Sequence, residues 1–258
     1  MENRQELAAD LRRRLARNQP VAKSQLRLLG HAAADACLNG GLPCGALHEV
    51  FPNAAGDAPA ATGFTLALSA CVGGQNRWLL WVQQDFAQTE WGGIFAPGLA
   101  DFGIDPSRFL TVKVPNAAAA LRAGAEALRC DSLGAVVIES WAGAKTFDLV
   151  ASRRLTLSAA KHGVTLFALR HAAQPAPSTA ETRWVVRAAA LPNSADWGCT
   201  RFDAELIRNR HGTTGRWIME WDGDGNFHEA GAAHSGAVSA AALHRPLAAE
   251  AEGLRRAG

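Results

Sequence analysis

Over residues 46–72 a strand, a glycine-bearing loop and a helix follow one another, an order in which loop N–H groups and a helix N-terminus converge on an anion. The loop runs Asn53-Ala54-Ala55-Gly56-Asp57-Ala58-Pro59-Ala60-Ala61-Thr62-Gly63, so Gly56, Asp57, Thr62 and Gly63 stand where a phosphate would lie. A working phosphate loop also needs a lysine for the terminal phosphates, with a Ser/Thr beside it for magnesium. This loop has no lysine, and Asp57 adds negative charge. At ~4 Å and an effective dielectric of ~20, two like charges repel by about 4 kcal/mol before screening. Glu139 and Ser140 close the apolar run Ala135-Val136-Val137-Ile138, the position of a magnesium-water carboxylate at the carboxyl edge of a sheet. Asp85, just past Leu79–Val82, is a second acid for that edge. Without the lysine these positions read as a degenerate nucleotide site with no catalytic residue. Lys23, Lys113, Lys145 and Lys161 are the only lysines, and Lys145 is the one nearest Glu139 in sequence.

Other candidates are weaker. His31, Cys37, Cys44 and His48 match no zinc spacing, so neither metal nor cofactor is expected. Ser158-Ala159-Ala160-Lys161 fits S-x-x-K but lies late in a helix without the companion motifs. Trp184, Trp217 and Trp221 near Arg183, Arg187 and Arg216 could stack single-stranded bases, although core packing is the commoner use of such residues. Arg12, Arg13, Arg14 and Arg17 form the densest basic run, with Arg208 and Arg210 next, so contact with single-stranded DNA is expected to be weak or indirect. Leu7, Leu11 and Leu15, and in the tail Leu243, Leu247 and Leu254, are the candidate partner-binding stripes.

The 258 residues are about 1.7 times the ~150-residue domain prior, enough for one large α/β domain with an appendage. A net charge of +2, with 48% apolar and 19% charged residues, describes a globular chain and gives no strong steering onto nucleic acid. No apolar run approaches the ~20 residues of a bilayer span, and no basic-then-apolar signal segment opens the chain, so a cytoplasmic protein without membrane contact is expected. Five cysteines, odd in number and sparse, suggest reduced thiols.

The elements that must position these groups follow from periodicity. Leu7, Leu11 and Leu15 recur at helical spacing up to Pro20, defining an N-terminal helical segment over 1–29. Gly40-Gly41-Leu42-Pro43-Cys44-Gly45 is a turn cluster, and 46–51 alternates as a strand before a loop over 52–62. A buried helix over 64–72 and strands over 78–82 and 109–114 follow. Asn116 can cap a helix over 117–129 ahead of the strand 135–139. A helix over 148–162 stops at Gly163 and leads to the strand 164–169. Strands alternating with helices of this length require right-handed crossovers and a parallel sheet covered on both faces. After a loop over 172–182, short strands at 184–187, 202–208 and 217–221 add an antiparallel extension, the last two as a hairpin. The core thus spans 30–229. A flexible Ala/Gly/Ser-rich tail, 230–258, carries a short helical motif within 243–256 that begins at Pro246.

Residues 30–222 resemble the RecA core. Gly40-Gly41-Leu42-Pro43-Cys44-Gly45 followed by Leu47-His48-Glu49-Val50-Phe51 is similar to the G-G-L-P-x-G turn and strand ahead of its phosphate loop. Ala135 to Ser140 resembles its magnesium strand, with Glu139 in place of aspartate, and Asp85 falls near its catalytic glutamate. Within that superfamily the degenerate loop 56–63, Leu80-Trp81-Val82-Gln83-Gln84-Asp85 and Phe95-Ala96-Pro97-Gly98-Leu99 resemble the ImuA family. The resemblance implies an α/β fold: a RecA-like P-loop-type core with a mostly parallel sheet, antiparallel C-terminal strands, an N-terminal helix and a flexible C-terminal tail. It also implies a non-catalytic accessory protein of SOS-induced translesion DNA synthesis. Its partners would be an ImuB-like Y-family pseudo-polymerase and an error-prone replicative polymerase subunit, with RecA and self-association as further options. The stretches at the DNA-loop positions, 141–146 and 172–182, are short, which argues against strand exchange. Two alternatives stay open: a DNA-dependent ATPase with a non-standard phosphate loop, and a SulA-like inhibitor of cell division.

Overall fold

The computed structural model describes residues 25–73, 77–86, 92–141, 146–190 and 200–230. Leu7, Leu11, Leu15, Arg12, Arg13, Arg14 and Arg17 of the N-terminal segment, Lys145, and Leu243, Leu247 and Leu254 of the tail lie outside the described residues. In chain order the strands are β1 (Leu26–Arg27), β2 (Leu42–Pro43), β3 (Leu47–Pro52), β4 (Trp78–Gln84), β5 (Phe109–Val114) and β6 (Leu133–Ser140). They continue as β7 (Thr165–Arg170), β8 (Thr182–Ala188), β9 (Thr200–Asn209), β10 (Gly215–Trp221) and β11 (Phe227–Glu229). The helices are α1 (Ala32–Cys37), α2 (Ala58–Gly73), α3 (Ala96–Ala100), α4 (Ala117–Ala127) and α5 (Leu149–His162).

Among the described residues nine strands form one sheet in the order β11-β10-β9-β8-β3-β7-β6-β4-β5. Every pairing from β8 to β5 is parallel, and β9, β10 and β11 add antiparallel strands. The expected α/β class, mostly parallel with an antiparallel C-terminal extension, is therefore what the chain adopts. β1 and β2 form a separate two-stranded pair, so residues 26–27, inside the segment expected to be helical, are extended.

Local chemistry sets the boundaries. Asn116 caps α4 by accepting the Ala119 N–H, and Asp148 caps α5 by accepting that of Ala151. Gly163, at φ +67°, ends α5 in the left-handed conformation. α2 begins six residues before the expected start at 64. Its N-terminal side is held by the turn Ala55–Asp57, and Pro59 lies in the first helical turn, where a missing N–H is tolerated. β1, β2, β11, α1 and α3 are too short to leave a periodic signature.

Strand alternation divides the core in two. Leu47, Leu80, Val82, Val136, Ile138, Leu166 and Ala168 face α4 and α5. Val50, Trp81, Val137 and Phe167 face α2, whose Phe64 and Leu68 join them. This second layer continues under the antiparallel strands, where Phe64 packs on Trp184, Phe202 and Phe227 with ring centroids 5.3–5.5 Å apart. Trp184 and Trp221 are buried in this cluster and Trp217 packs against it, so these rings serve the core. Among the described residues no helix is long and apolar enough to cross a membrane.

His48 on β3 is fully buried, and burial pushes its pKa down to about 4. One ring nitrogen meets the Pro43 carbonyl at 2.9 Å and the other meets the Thr182 hydroxyl at 2.8 Å, a pairing that suits the neutral ring. In the unfolded chain the ring titrates near 6.5. Between these values the unfolded state binds the extra proton, so stability falls as the pH drops through this window. The expected loss between pH 7 and pH 4 from this group is about 3 kcal/mol. Urea unfolding at both pH values checks it, and His48→Gln should remove this component of the slope.

Candidate functional site

β3 sends its connection, α2, over one face of the sheet, whereas α4 and α5 cross the other. The chain therefore diverges at the carboxyl ends of β3, β7 and β6, where an open α/β sheet leaves a crevice. A cleft of about 490 Å³ lies there, between the first turns of α2, the ends of β4, β6 and β8, and Phe102 and Phe202.

Glu139 is the carboxylate of this cleft and is buried. The Trp81 indole N–H donates to its Oε2 at 2.7 Å, and His171 Nε2 lies 3.2 Å from Oε1 without hydrogen-bond alignment. The His171 ring stacks on Trp141 with centroids 4.2 Å apart and planes at 18°. The Trp141 backbone N–H donates to Gln84 Oε1 at 2.9 Å, which fixes the start of the segment after β6. The stacked pair also walls a smaller cleft of about 160 Å³ against Asn53 and Ala54. Gln83 directs its amide N–H to the Gly92 carbonyl at 3.4 Å, and its buried Oε1 has no hydrogen-bond partner among the described residues.

The loop after β3 is tied to its neighbours. The Asn53 N–H donates to the Val186 carbonyl, and the Asp57 carboxylate accepts the Ala54 N–H on one oxygen and the Ala188 N–H on the other, each at 3.0 Å. Asp57 thus closes its own turn and fastens it to the end of β8. The Thr62 hydroxyl donates back to the Ala58 carbonyl, a contact within the helix. A Cβ at Gly63 would come within 3.3 Å of the Phe102 and Phe202 rings, so this glycine permits close packing of α2.

Of the residues singled out for nucleotide, Thr62, Gly63 and Glu139 line the cleft. Gly56 is exposed, and a Cβ added to it would meet nothing within 4 Å. Asp57 is engaged with backbone, and Asp85 lies exposed beyond β4. Ser140 follows Glu139 on the strand and so points to the opposite face. Trp81, Gln83, Trp141 and His171 carry no signal of their own in the sequence. Alternation along β4 and β6 puts Trp81 and Gln83 on the face of Glu139, but only the strand order brings His171 beside them.

On the opposite face lies a buried ionic cluster. Glu49 of β3 is 0% exposed. Arg183 Nε donates to its Oε2 at 2.8 Å, and the Ser178 hydroxyl donates to the same oxygen at 2.8 Å. Arg170 approaches Oε1 at 3.5 Å, its guanidinium 4.7 Å from the centre of the Phe147 ring and 5.5 Å from that of Phe51. Burial pushes the Arg170 pKa down, and Glu49 partly offsets this.

The metal-capable side chains are used structurally: His31 caps α1 by accepting the Ala34 N–H, and His48 bridges Pro43 and Thr182. Among the described residues no group of three His, Cys, Asp or Glu side chains could hold a metal ion. Arg208 donates to the Ser178 carbonyl, Arg210 meets Glu181 at 3.5 Å, and Arg216 pairs with both oxygens of Asp203. These arginines, named as nucleic-acid candidates, are engaged within the fold. No protein-family model matches the chain, and no curated protein matches it in sequence.

Proposed function

We propose that the chain is a non-catalytic, RecA-like accessory protein of an error-prone translesion synthesis complex, holding an ImuB-like pseudo-polymerase through its surfaces. The observation that carries this reading is Asp57. Its carboxylate takes the Ala54 and Ala188 amides beside the position where a phosphate would sit, in a loop that offers no cation. Phosphoryl transfer depends on preorganised positive charge around the transferred group, and here the loop carries the opposite sign. Glu139, the acid at the sheet edge, already accepts from Trp81 and is packed beside His171. The sheet supports the RecA-type assignment, because one strand, β7, separates the loop strand β3 from the acid-bearing β6, and the acid and the loop meet at one cleft. A fold kept intact around a closed loop leaves shape and surface as its output.

Titration of the full chain with Mg-ATP, with and without single-stranded DNA, should give no binding isotherm and no phosphate release above background. Asp57→Ala should lower stability by about 1 kcal/mol through loss of the turn cap without restoring turnover. Phosphate release that disappears in Glu139→Gln would overturn the reading.

A further inference from the structure

Most arginines of the sheet are neutralised locally: Arg183 by Glu49, Arg187 by Glu205, Arg201 by Glu220 and Arg216 by Asp203. Arg122, Arg153, Arg154 and Lys161 differ. All four are exposed, none forms an ion pair or hydrogen bond among the described residues, and all lie on α4 and α5, across the sheet from the cleft. α4 packs beside α5. Three apolar side chains interleave with these cations on α5: Leu149, Val150 and Leu157 are 52%, 58% and 62% exposed. Leu149, Arg153 and Leu157 are spaced four apart along one line of the helix, and Val150 and Arg154 occupy the adjacent line. The strip from Leu149 to Lys161 is about 18 Å long, roughly three helical turns.

We propose that this face of α5 docks an acidic amphipathic helix of another protein. Unpaired cations alone describe a solvated surface, but three exposed aliphatic side chains within three turns call for cover. A phosphate backbone would meet the arginines and leave the leucines in water. A helix with leucine-type anchors flanked by Asp and Glu meets both demands, the charges setting register and association rate and the anchors supplying buried area. The chain's own ends do not fit this charge pattern. Residues 1–24 carry six Lys/Arg against three Asp/Glu, and residues 231–258 carry three Arg against two Glu. The inference rests on the reading of the chain as a protein-binding core and names one surface for that role.

The test uses the full chain and a labelled helical peptide of about four turns, with leucine on one face and glutamate flanking it. A second peptide has lysine at each glutamate position, and a single-stranded oligonucleotide is the third probe. The glutamate peptide should bind with a Kd on the order of micromolar, more weakly as salt is raised. Arg153→Glu with Arg154→Glu, and separately Leu157→Ser, should each weaken binding about tenfold or more while leaving the thermal unfolding transition in place. Equal binding of the lysine peptide, preferential binding of the oligonucleotide, or unchanged affinity in both variants would overturn the proposal. Co-purification with the ImuB-like partner separates the two readings. If wild-type chain takes the glutamate peptide but never the partner, the docking face stands and the translesion assignment falls. If the partner is held equally by wild type and the charge-reversed variant, the docking face falls and the assignment stands.

Discussion

Glu49→Leu is expected to destabilise the fold by about 3–5 kcal/mol, a large share of the roughly 5–15 kcal/mol usual for a domain. The substitution removes the acid that pairs with both Arg170 and Arg183, whose side chains are 1% and 10% exposed. Arg183 would keep the Ala176 carbonyl and the Ser178 hydroxyl as acceptors. Arg170 would keep only the faces of Phe51 and Phe147, because none of its guanidinium nitrogens has a hydrogen-bond partner among the described residues. An uncompensated buried guanidinium is the large term in this loss. Replacing the cluster as a whole, with Glu49→Leu, Arg170→Met and Arg183→Met, should recover most of the stability, since apolar groups of similar volume need no partners. Urea unfolding of the single and triple variants measures the difference. A single variant within about 1 kcal/mol of wild type would show that water or another group reaches Arg170.

Gly41→Ala should cost about 2–4 kcal/mol. Gly41 has φ +128°, a conformation that an L side chain rarely adopts, and a Cβ there would lie 2.4 Å from the Arg27 carbonyl oxygen. The obstacle is backbone. Arg27 is fixed opposite Leu42 in the β1–β2 pair, and the chain just beyond it places the fully buried Leu29 in the core. Relieving the clash therefore means separating the pair. Gly56→Ala is the matched control: with nothing within 4 Å and an ordinary φ, it should change stability by no more than about 0.5 kcal/mol. Thermal unfolding of the two variants side by side reads the contrast, and equal effects would contradict the account of the turn.

Gly41 also illustrates what the sequence displays. The glycine cluster at 40–45 is visible as a turn because the need for glycine is local, and Asn116, Asp148 and Gly163 mark helix ends through caps that act within a few residues. Apolar runs such as Ala135-Val136-Val137-Ile138 identify strands buried on both faces. The start of α2 is less visible, since Asp57, Ala58 and Pro59 read as loop until the Asp57 carboxylate is seen holding Ala54 and Ala188, a residue 131 positions away. The candidate site divides similarly. Glu139 stands out as an acid closing an apolar run, but Trp81, Trp141 and His171 come together through strand order, which periodicity does not encode. Glu49 looks like one more polar residue in an alternating strand, and its arginine partners come from two strands that follow it by more than 100 residues.

In the proposed role the chain holds a partner and does so without nucleotide. The most direct measurement is the affinity of the full chain for the ImuB-like pseudo-polymerase, read by light scattering across a concentration series, with and without Mg-ATP. A stable complex whose Kd is the same in both conditions is expected. A complex that forms only with Mg-ATP, or no complex in either condition, would contradict it.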